Sequence, residues 1–208
     1  MTRPLIAVLD YGIGNLSSAQ KALVRSGADA RLTRDASVAR DAQGVVLPGV
    51  GAFGACMDAL RSAGLEEVVH ESVASGKPFM GICVGMQMLF DASDEDPTAR
   101  GLGVIAGTVR GIPQHVRRPQ MQWNELRVSV ADPLFVGLPD TPWVYFVHSY
   151  AAVPVDPAVV VATCNYGADL TAVVRRGNVV ATQFHPEKSA VDGLAMLSNF
   201  VRECGVPQ

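Results

Sequence analysis

Residues 78–87 read Pro78-Phe79-Met80-Gly81-Ile82-Cys83-Val84-Gly85-Met86-Gln87, and the reading of the whole chain starts there. A short apolar run, Pro78-Phe79-Met80, leads into a segment of helical composition over residues 84–90, so Cys83 falls where a strand turns abruptly into a helix. The small residues on either side of such a nucleophile have a steric cause. The nucleophile sits in a strained backbone conformation, and the chain passes so close to its neighbours that side chains at 81 and 85 would clash. Unpaired N–H groups and the positive end of the helix dipole favour a thiolate at the first turn, which predicts a reactive Cys83. The competing reading is a small buried core residue, the common fate of a free cysteine.

Upstream of the elbow, Leu5-Ile6-Ala7-Val8-Leu9 is an apolar run of strand length, and Tyr11-Gly12-Ile13-Gly14-Asn15 turns the chain into a helix over 16–26. Further strands are expected over 28–33 and 44–47, the latter uninterrupted in its apolar residues, as in parallel strands covered on both faces. Pro48-Gly49-Val50-Gly51-Ala52-Phe53-Gly54 follows directly, a loop suited to backbone contacts, and helical patterns lie at 57–60 and 66–74.

Downstream, the acidic, turn-rich residues 91–97 predict an exposed loop at the mouth of the Cys83 site. From Gly103 the pattern changes to short β-prone pieces at 104–105, 123–130, 143–147, 159–163, 172–175 and 179–183, which predict hairpins and added strands. An amphipathic helix over 191–203 closes the chain. The expected architecture is a single α/β domain over 1–208, parallel in its first half and mixed in its second.

Composition excludes several function classes. The 208 residues, 49% of them hydrophobic, suffice for one domain with a substantial core. A net charge of -3 provides no field for nucleic acid or an anionic membrane surface. Cys56, Cys83, Cys164 and Cys204 form no CxxC pair and show no metal-ligand spacing with the histidines, so neither a metal nor another cofactor is expected. With no signal-peptide pattern after Met1 and no run of about eighteen apolar residues, the chain reads as a soluble, cytoplasmic protein.

A nucleophilic cysteine needs a base, and the base needs a third group to hold its tautomer. Gln183-Phe184-His185-Pro186-Glu187 offers both at the end of the strand over 179–183, with Pro186 forcing the chain out of the sheet and Glu187 able to bend back to the imidazole. Individually His185 reads equally as an edge histidine and Glu187 as a surface acid. With Cys83 they form a candidate triad. For an oxyanion hole, the Val84 amide is one donor and the loop Pro48-Gly49-Val50-Gly51 the second, unless that loop is a plain βα turn.

These motifs, with Asp10-Tyr11-Gly12-Ile13-Gly14-Asn15-Leu16, Tyr145-Phe146-Val147-His148-Ser149-Tyr150 and His185-Pro186-Glu187-Lys188-Ser189, resemble the class I glutamine amidotransferases. More narrowly, they resemble the glutaminase subunit of imidazole glycerol phosphate synthase, in histidine biosynthesis. The resemblance implies a central, mostly parallel sheet flanked by helices, with antiparallel strands added in the second half. It implies that Cys83 attacks the side-chain amide of L-glutamine, that His185 carries the proton to ammonia and that Glu187 orients His185. The backbone of Val50 and Gly51, reorienting, would join Val84 in the oxyanion hole. Gln87 and the backbone of His148, Ser149 and Tyr150 would hold the amino-acid head, and Glu95 its ammonium. Ammonia would pass to a separate (β/α)8-barrel cyclase subunit in a heterodimer, where imidazole glycerol phosphate and an aminoimidazole carboxamide ribotide form. Asn15, Ser18, Trp123 and Lys188 would face that partner, although Trp123 also reads as a core residue of its strand. In one segment the chain departs from the family pattern Pro-His-Met-Gly-Trp-Asn: Gln120 and Gln122 replace the histidine and the glycine, which predicts an altered backbone there.

Three other readings remain open on the residues. A dinucleotide site at Gly12-Ile13-Gly14 lacks its third glycine, Ser17 standing there. A stand-alone cysteine hydrolase of the same fold, such as a γ-glutamyl hydrolase or peptidase, would need no partner. A regulatory subunit using Cys83 as a redox sensor would not need the His185/Glu187 pair.

Overall fold

The computed structural model describes residues 3–14 and 16–205. Its first half alternates strand and helix: β1 (Leu5–Leu9), α1 (Leu16–Arg25), β2 (Asp29–Thr33), α2 (Ala36–Asp41), β3 (Gly44–Gly49), α3 (Phe53–Ser62), α4 (Glu66–Ala74), β4 (Phe79–Cys83) and α5 (Val84–Gln87). β3 and β4 are buried at every position. α1 instead buries one stripe, Leu16, Ala19, Ala22 and Leu23, against the sheet. α2, which periodicity does not reveal in so short a segment, starts where the Asp35 carboxylate accepts from the Ser37 N–H.

The second half is mainly β: β5 (Ala92–Ser93), β6 (Asp96–Arg100), β7 (Gly107–Gly111), β8 (Gln120–Glu125), β9 (Arg127–Val128), β10 (Trp143–His148), β11 (Tyr150–Pro154), β12 (Val160–Asn165), β13 (Asp169–Arg176) and β14 (Val179–Thr182), followed by α6 (Ala190–Cys204). The main sheet runs β2-β1-β3-β4-β14-β13-β12-β9. It is parallel from β2 through β14 and antiparallel beyond. A ribbon of β10 and β8 and a smaller sheet, β11-β7-β5-β6, complete it. No helix among the described residues is long and apolar enough to cross a membrane.

Tertiary hydrogen bonds overrule local pattern at several places. The helix expected over 84–90 is one turn, because the carbonyls of Met88, Leu89 and Phe90 accept from Leu102, Ile105 and Gly103 and not from a continuing helix. Residues 104–105 are therefore a buried bend, not a strand. The loop expected over 91–97 folds into the hairpin β5–β6, held by backbone pairing that composition does not encode. The segment 123–130 divides at buried Leu126, with β8 joining the ribbon and β9 the main sheet. Residues 120–125 form a strand in which Gln122 pairs with Phe146 and is exposed.

The edge beyond β14 is tied to α6 by Arg175, which donates to Asp132 and Glu203. The Asp132 side chain is 4% exposed, so Arg175→Met strands a buried carboxylate, a loss on the order of 3 kcal/mol. Urea titration should show that loss in the variant, with the double variant carrying Asp132→Asn as well recovering part of it.

Candidate active site

β3 and β4 lie side by side in parallel, Gly49 opposite Cys83. A Cβ on Gly85 would fall 1.9 Å from the Leu47 carbonyl oxygen, and one on Gly81 would fall 3.0 Å from the Gly85 oxygen and 3.1 Å from the Ala181 Cβ. With no room to relax, Cys83 takes φ 55°, ψ -114°, outside the regions open to most side chains. The thiol thereby leaves the sheet at its carboxyl edge, beside α5. A one-turn helix carries little macrodipole, so what the elbow supplies electrostatically is the unpaired N–H at Val84.

β14 runs parallel to β4 with Thr182 opposite Ile82, which carries His185 to the same edge. Phe184 is fully buried and packs edge-to-face on Phe146 of the ribbon, centroids 5.7 Å apart. The His185 N–H donates to the Tyr145 carbonyl at 3.2 Å, and Ser189 Oγ donates to the His185 carbonyl at 2.7 Å while accepting from the Tyr145 N–H. A 3₁₀ turn, Pro186–Lys188, bends the chain so that Glu187 Oε1 accepts from His185 Nδ1 at 2.8 Å. Nε2 has no hydrogen-bond partner and is left toward Cys83. Burial by itself disfavours the imidazolium, but the neighbouring Cys83 sulfur and the hydrogen-bonded Glu187 carboxylate overcome it and raise His185 to about 9.

A pocket of about 240 Å³ opens between these elements. Its lining contains Cys83 and His185, the oxyanion candidates Val50, Gly51 and Val84, and the head-group candidates Gln87, Glu95, His148, Ser149 and Tyr150. Glu187 stands behind the imidazole. Gln87 is partly committed: its nitrogen donates to the Tyr150 carbonyl and to Gln183 Oε1, both at 3.1 Å, leaving its oxygen to meet a ligand. Glu95 Oε2 accepts from the Phe53 N–H at 2.8 Å. The oxyanion loop is held from below, where Tyr11 donates to the Pro48 carbonyl at 2.8 Å and Cys56 to the Val50 carbonyl at 3.4 Å.

Three contributors escape sequence reasoning. Gln183 places its nitrogen 3.9 Å from the Cys83 sulfur, and Tyr11 and Ser189 buttress the loop and the base. All three stand inside the motifs quoted above, but their types gave no role there. Of the residues expected to face a partner, Asn15 lies outside the described residues. Ser18 and exposed Lys188 line an open cleft of about 460 Å³. Trp123, expected either at an interface or in the core, is 44% exposed and rests edge-on against Tyr145.

The sequence matches the family model of glutamine amidotransferase class-I over residues 7–204. The chain belongs to the class-I glutamine amidotransferases. It is 48% identical over 198 residues to the imidazole glycerol phosphate synthase subunit HisH of Rhodopirellula baltica, covering 94% of this chain and 96% of that one. It is 47% identical over 206 residues to the HisH subunit of Gloeothece citriformis, covering 97% of each. A solved structure of a glutamine amidotransferase superposes with a TM-score of 0.77 at 25% identity, over 97% of this chain and 99% of the other. PurLQS from Thermotoga maritima shares the fold, with a TM-score of 0.76 at 20% identity over 97% and 99% of the two chains.

Two outcomes are expected of this amidotransferase. Gly85→Ala drives a methyl into backbone that cannot step aside, so folded protein should be lost or weakened by more than about 3 kcal/mol, read from thermal melting. Stability should also peak near pH 6.5. His185, raised from 6.5 to about 9, contributes fully below pH 6.5 and loses that contribution as pH rises through 9. His148, lowered by burial from 6.5 to about 4, contributes above pH 6.5 and loses it as pH falls through 4. Each is worth about 3 kcal/mol at most, and urea titrations across pH should find the alkaline decline flattened in His185→Asn.

Proposed function

We propose that this chain is the glutaminase subunit of an imidazole glycerol phosphate synthase, with Cys83, His185 and Glu187 as its catalytic residues. The observation that carries the reading is the thiol held at the strained elbow with an imidazole nitrogen left free toward it and a carboxylate on the imidazole's other side. At about 240 Å³ the pocket is smaller than the roughly 300–1,000 Å³ of drug-sized sites, in keeping with a single amino acid such as L-glutamine.

Sulfur attacks the side-chain amide carbon of glutamine with its proton already held on His185 Nε2, since the imidazole is raised to about 9. Glu187 keeps the Nδ1 proton in place and stabilises the imidazolium that forms. The amide of Val84 and the backbone of Val50 and Gly51 receive the developing oxyanion. His185 then protonates the departing nitrogen, the C–N bond breaks, and ammonia leaves a γ-glutamyl thioester on Cys83. Water, deprotonated by His185, releases glutamate and returns Cys83 and His185 to their starting state. Gln87, Glu95 and the 148–150 turn hold the amino-acid head throughout.

Ammonia is kept from bulk water, where it would become ammonium and lose the lone pair that attacks. A separate (β/α)8-barrel cyclase subunit receives it in the heterodimer. Support for a docking face comes from continuity: the Tyr145 backbone clasps the segment bearing Lys188, Tyr145 pairs with Trp123, and Ser18 shares a cleft with Lys188. The reducing cytoplasm suits a reaction that needs a free thiol, and all four cysteines are free.

Glutamate release should fall at least about 10³-fold in Cys83→Ala, and a radiolabelled glutamyl group should be trapped on Cys83 in the parent protein and in Cys204→Ala. Label on another cysteine would overturn the assignment. Adding the cyclase subunit and its nucleotide ligand should stimulate glutamate release; full activity without it would favour the stand-alone hydrolase.

A further inference from the structure

Gln120 opens β8 with its side chain fully buried, and its nitrogen has no hydrogen-bond partner. Its amide meets His148 Nε2 at 2.9 Å, and His148 Nδ1 meets the Tyr150 carbonyl at 2.8 Å. A carbonyl only accepts, so Nδ1 carries a proton. No carboxylate pairs with His148 among the described residues, and burial lowers it to about 4, so it has a single proton at neutral pH. Nε2 is then an acceptor and requires a donor opposite. With the Gln120 oxygen there, two acceptors would meet and the amide nitrogen would be buried unpaired. A 180° turn of the amide resolves both conflicts, and it points the oxygen to the side of the Cys164 thiol, which lies near Gln120 and can donate to it.

Resting on the glutaminase reading above, we propose that Gln120 is a positioning residue for glutamine turnover. Its amide nitrogen donates to Nε2 of a neutral His148, whose Nδ1 proton pins the Tyr150 carbonyl and so fixes the 148–150 turn that walls the substrate pocket. The Tyr150 carbonyl also receives the Gln87 nitrogen, Gln87 reaches Gln183, and Gln183 approaches the Cys83 sulfur. One buried hydrogen-bonded chain thus runs from the start of β8 to the nucleophile. Its role is selective: the head of glutamine lies against the 148–150 turn, whereas a small alkylating agent reaches the sulfur without using it.

The test uses the chain in complex with its cyclase subunit. Histidine ¹⁵N spectra should find His148, assigned by its disappearance in His148→Asn, neutral and protonated at Nδ1. A proton on Nε2, or on both nitrogens, overturns the proposal, and this measurement needs no Gln120 variant to fold. Gln120→Glu, which offers only acceptors, should force a second proton onto His148. Gln120→Leu should raise KM for glutamine about tenfold, the size of one lost hydrogen bond, with kcat and the rate of Cys83 alkylation by iodoacetamide little changed. An unchanged KM overturns the proposal. Joint loss of KM, kcat, alkylation rate and melting temperature overturns it too, since it marks a merely structural role. Failure of the glutaminase reading is distinguishable: the parent complex would release no glutamate whatever the His148 tautomer.

Discussion

The site depends on how closely the Gly85 backbone approaches the Leu47 carbonyl. A Cβ at position 85 would come within 1.9 Å of that oxygen, so elbow and β3 meet backbone to backbone. Cys83 is thereby held at φ 55°, a conformation that costs a non-glycine residue about 1–3 kcal/mol. The surroundings offset that cost: β3, β4 and β14 are buried along their whole length, with Phe79, Leu47 and Ile82 inaccessible or nearly so. Burial of each such side chain contributes on the order of 2 kcal/mol. Strain at one residue persists because the sheet around it cannot yield separately.

The same contact explains why nucleophile and oxyanion loop are neighbours. β3 leaves the sheet at Pro48 and Gly49 beside the residue where β4 turns out at Cys83, so two chain reversals share one edge. Tyr11, at the end of β1, reaches across to hold the Pro48 carbonyl. Three parallel strands thus contribute their carboxyl ends to one place, where side chains and free backbone groups can converge on a ligand.

The base is held differently, by the antiparallel half of the molecule. Phe184 is wedged against Phe146, and the Tyr145 backbone exchanges hydrogen bonds with both His185 and Ser189. The β8–β10 ribbon is therefore structural support for the imidazole on its inner face and presents Met121 and Trp123 on its outer one. A load placed on that outer face is one strand away from the base and, through Gln120, one hydrogen-bonded chain away from the thiol.

What the sequence determined by itself was the part set by local sterics and short spacing. Gly81, Cys83 and Gly85 mark an elbow because no other residues fit there. Glu187 follows His185 closely enough to turn back on it, and the apolar runs of β1, β3 and β4 announce strands buried on both faces. Family resemblance added the wall of the pocket, Gln87, Glu95 and the 148–150 turn. Only the tertiary structure decided the rest. The helix after Cys83 stops at one turn because residues 102–105 claim its carbonyls, and the acidic segment 91–97 becomes a hairpin through backbone pairing. Trp123 stands outside the core, and Gln183, Ser189, Tyr11 and Gln120 acquire positions through partners 28 to 100 residues away, or across the ribbon. Hydrogen bonds between distant segments form only after those segments have been brought together, and nothing in the order of residues along a strand records which carbonyl will be waiting.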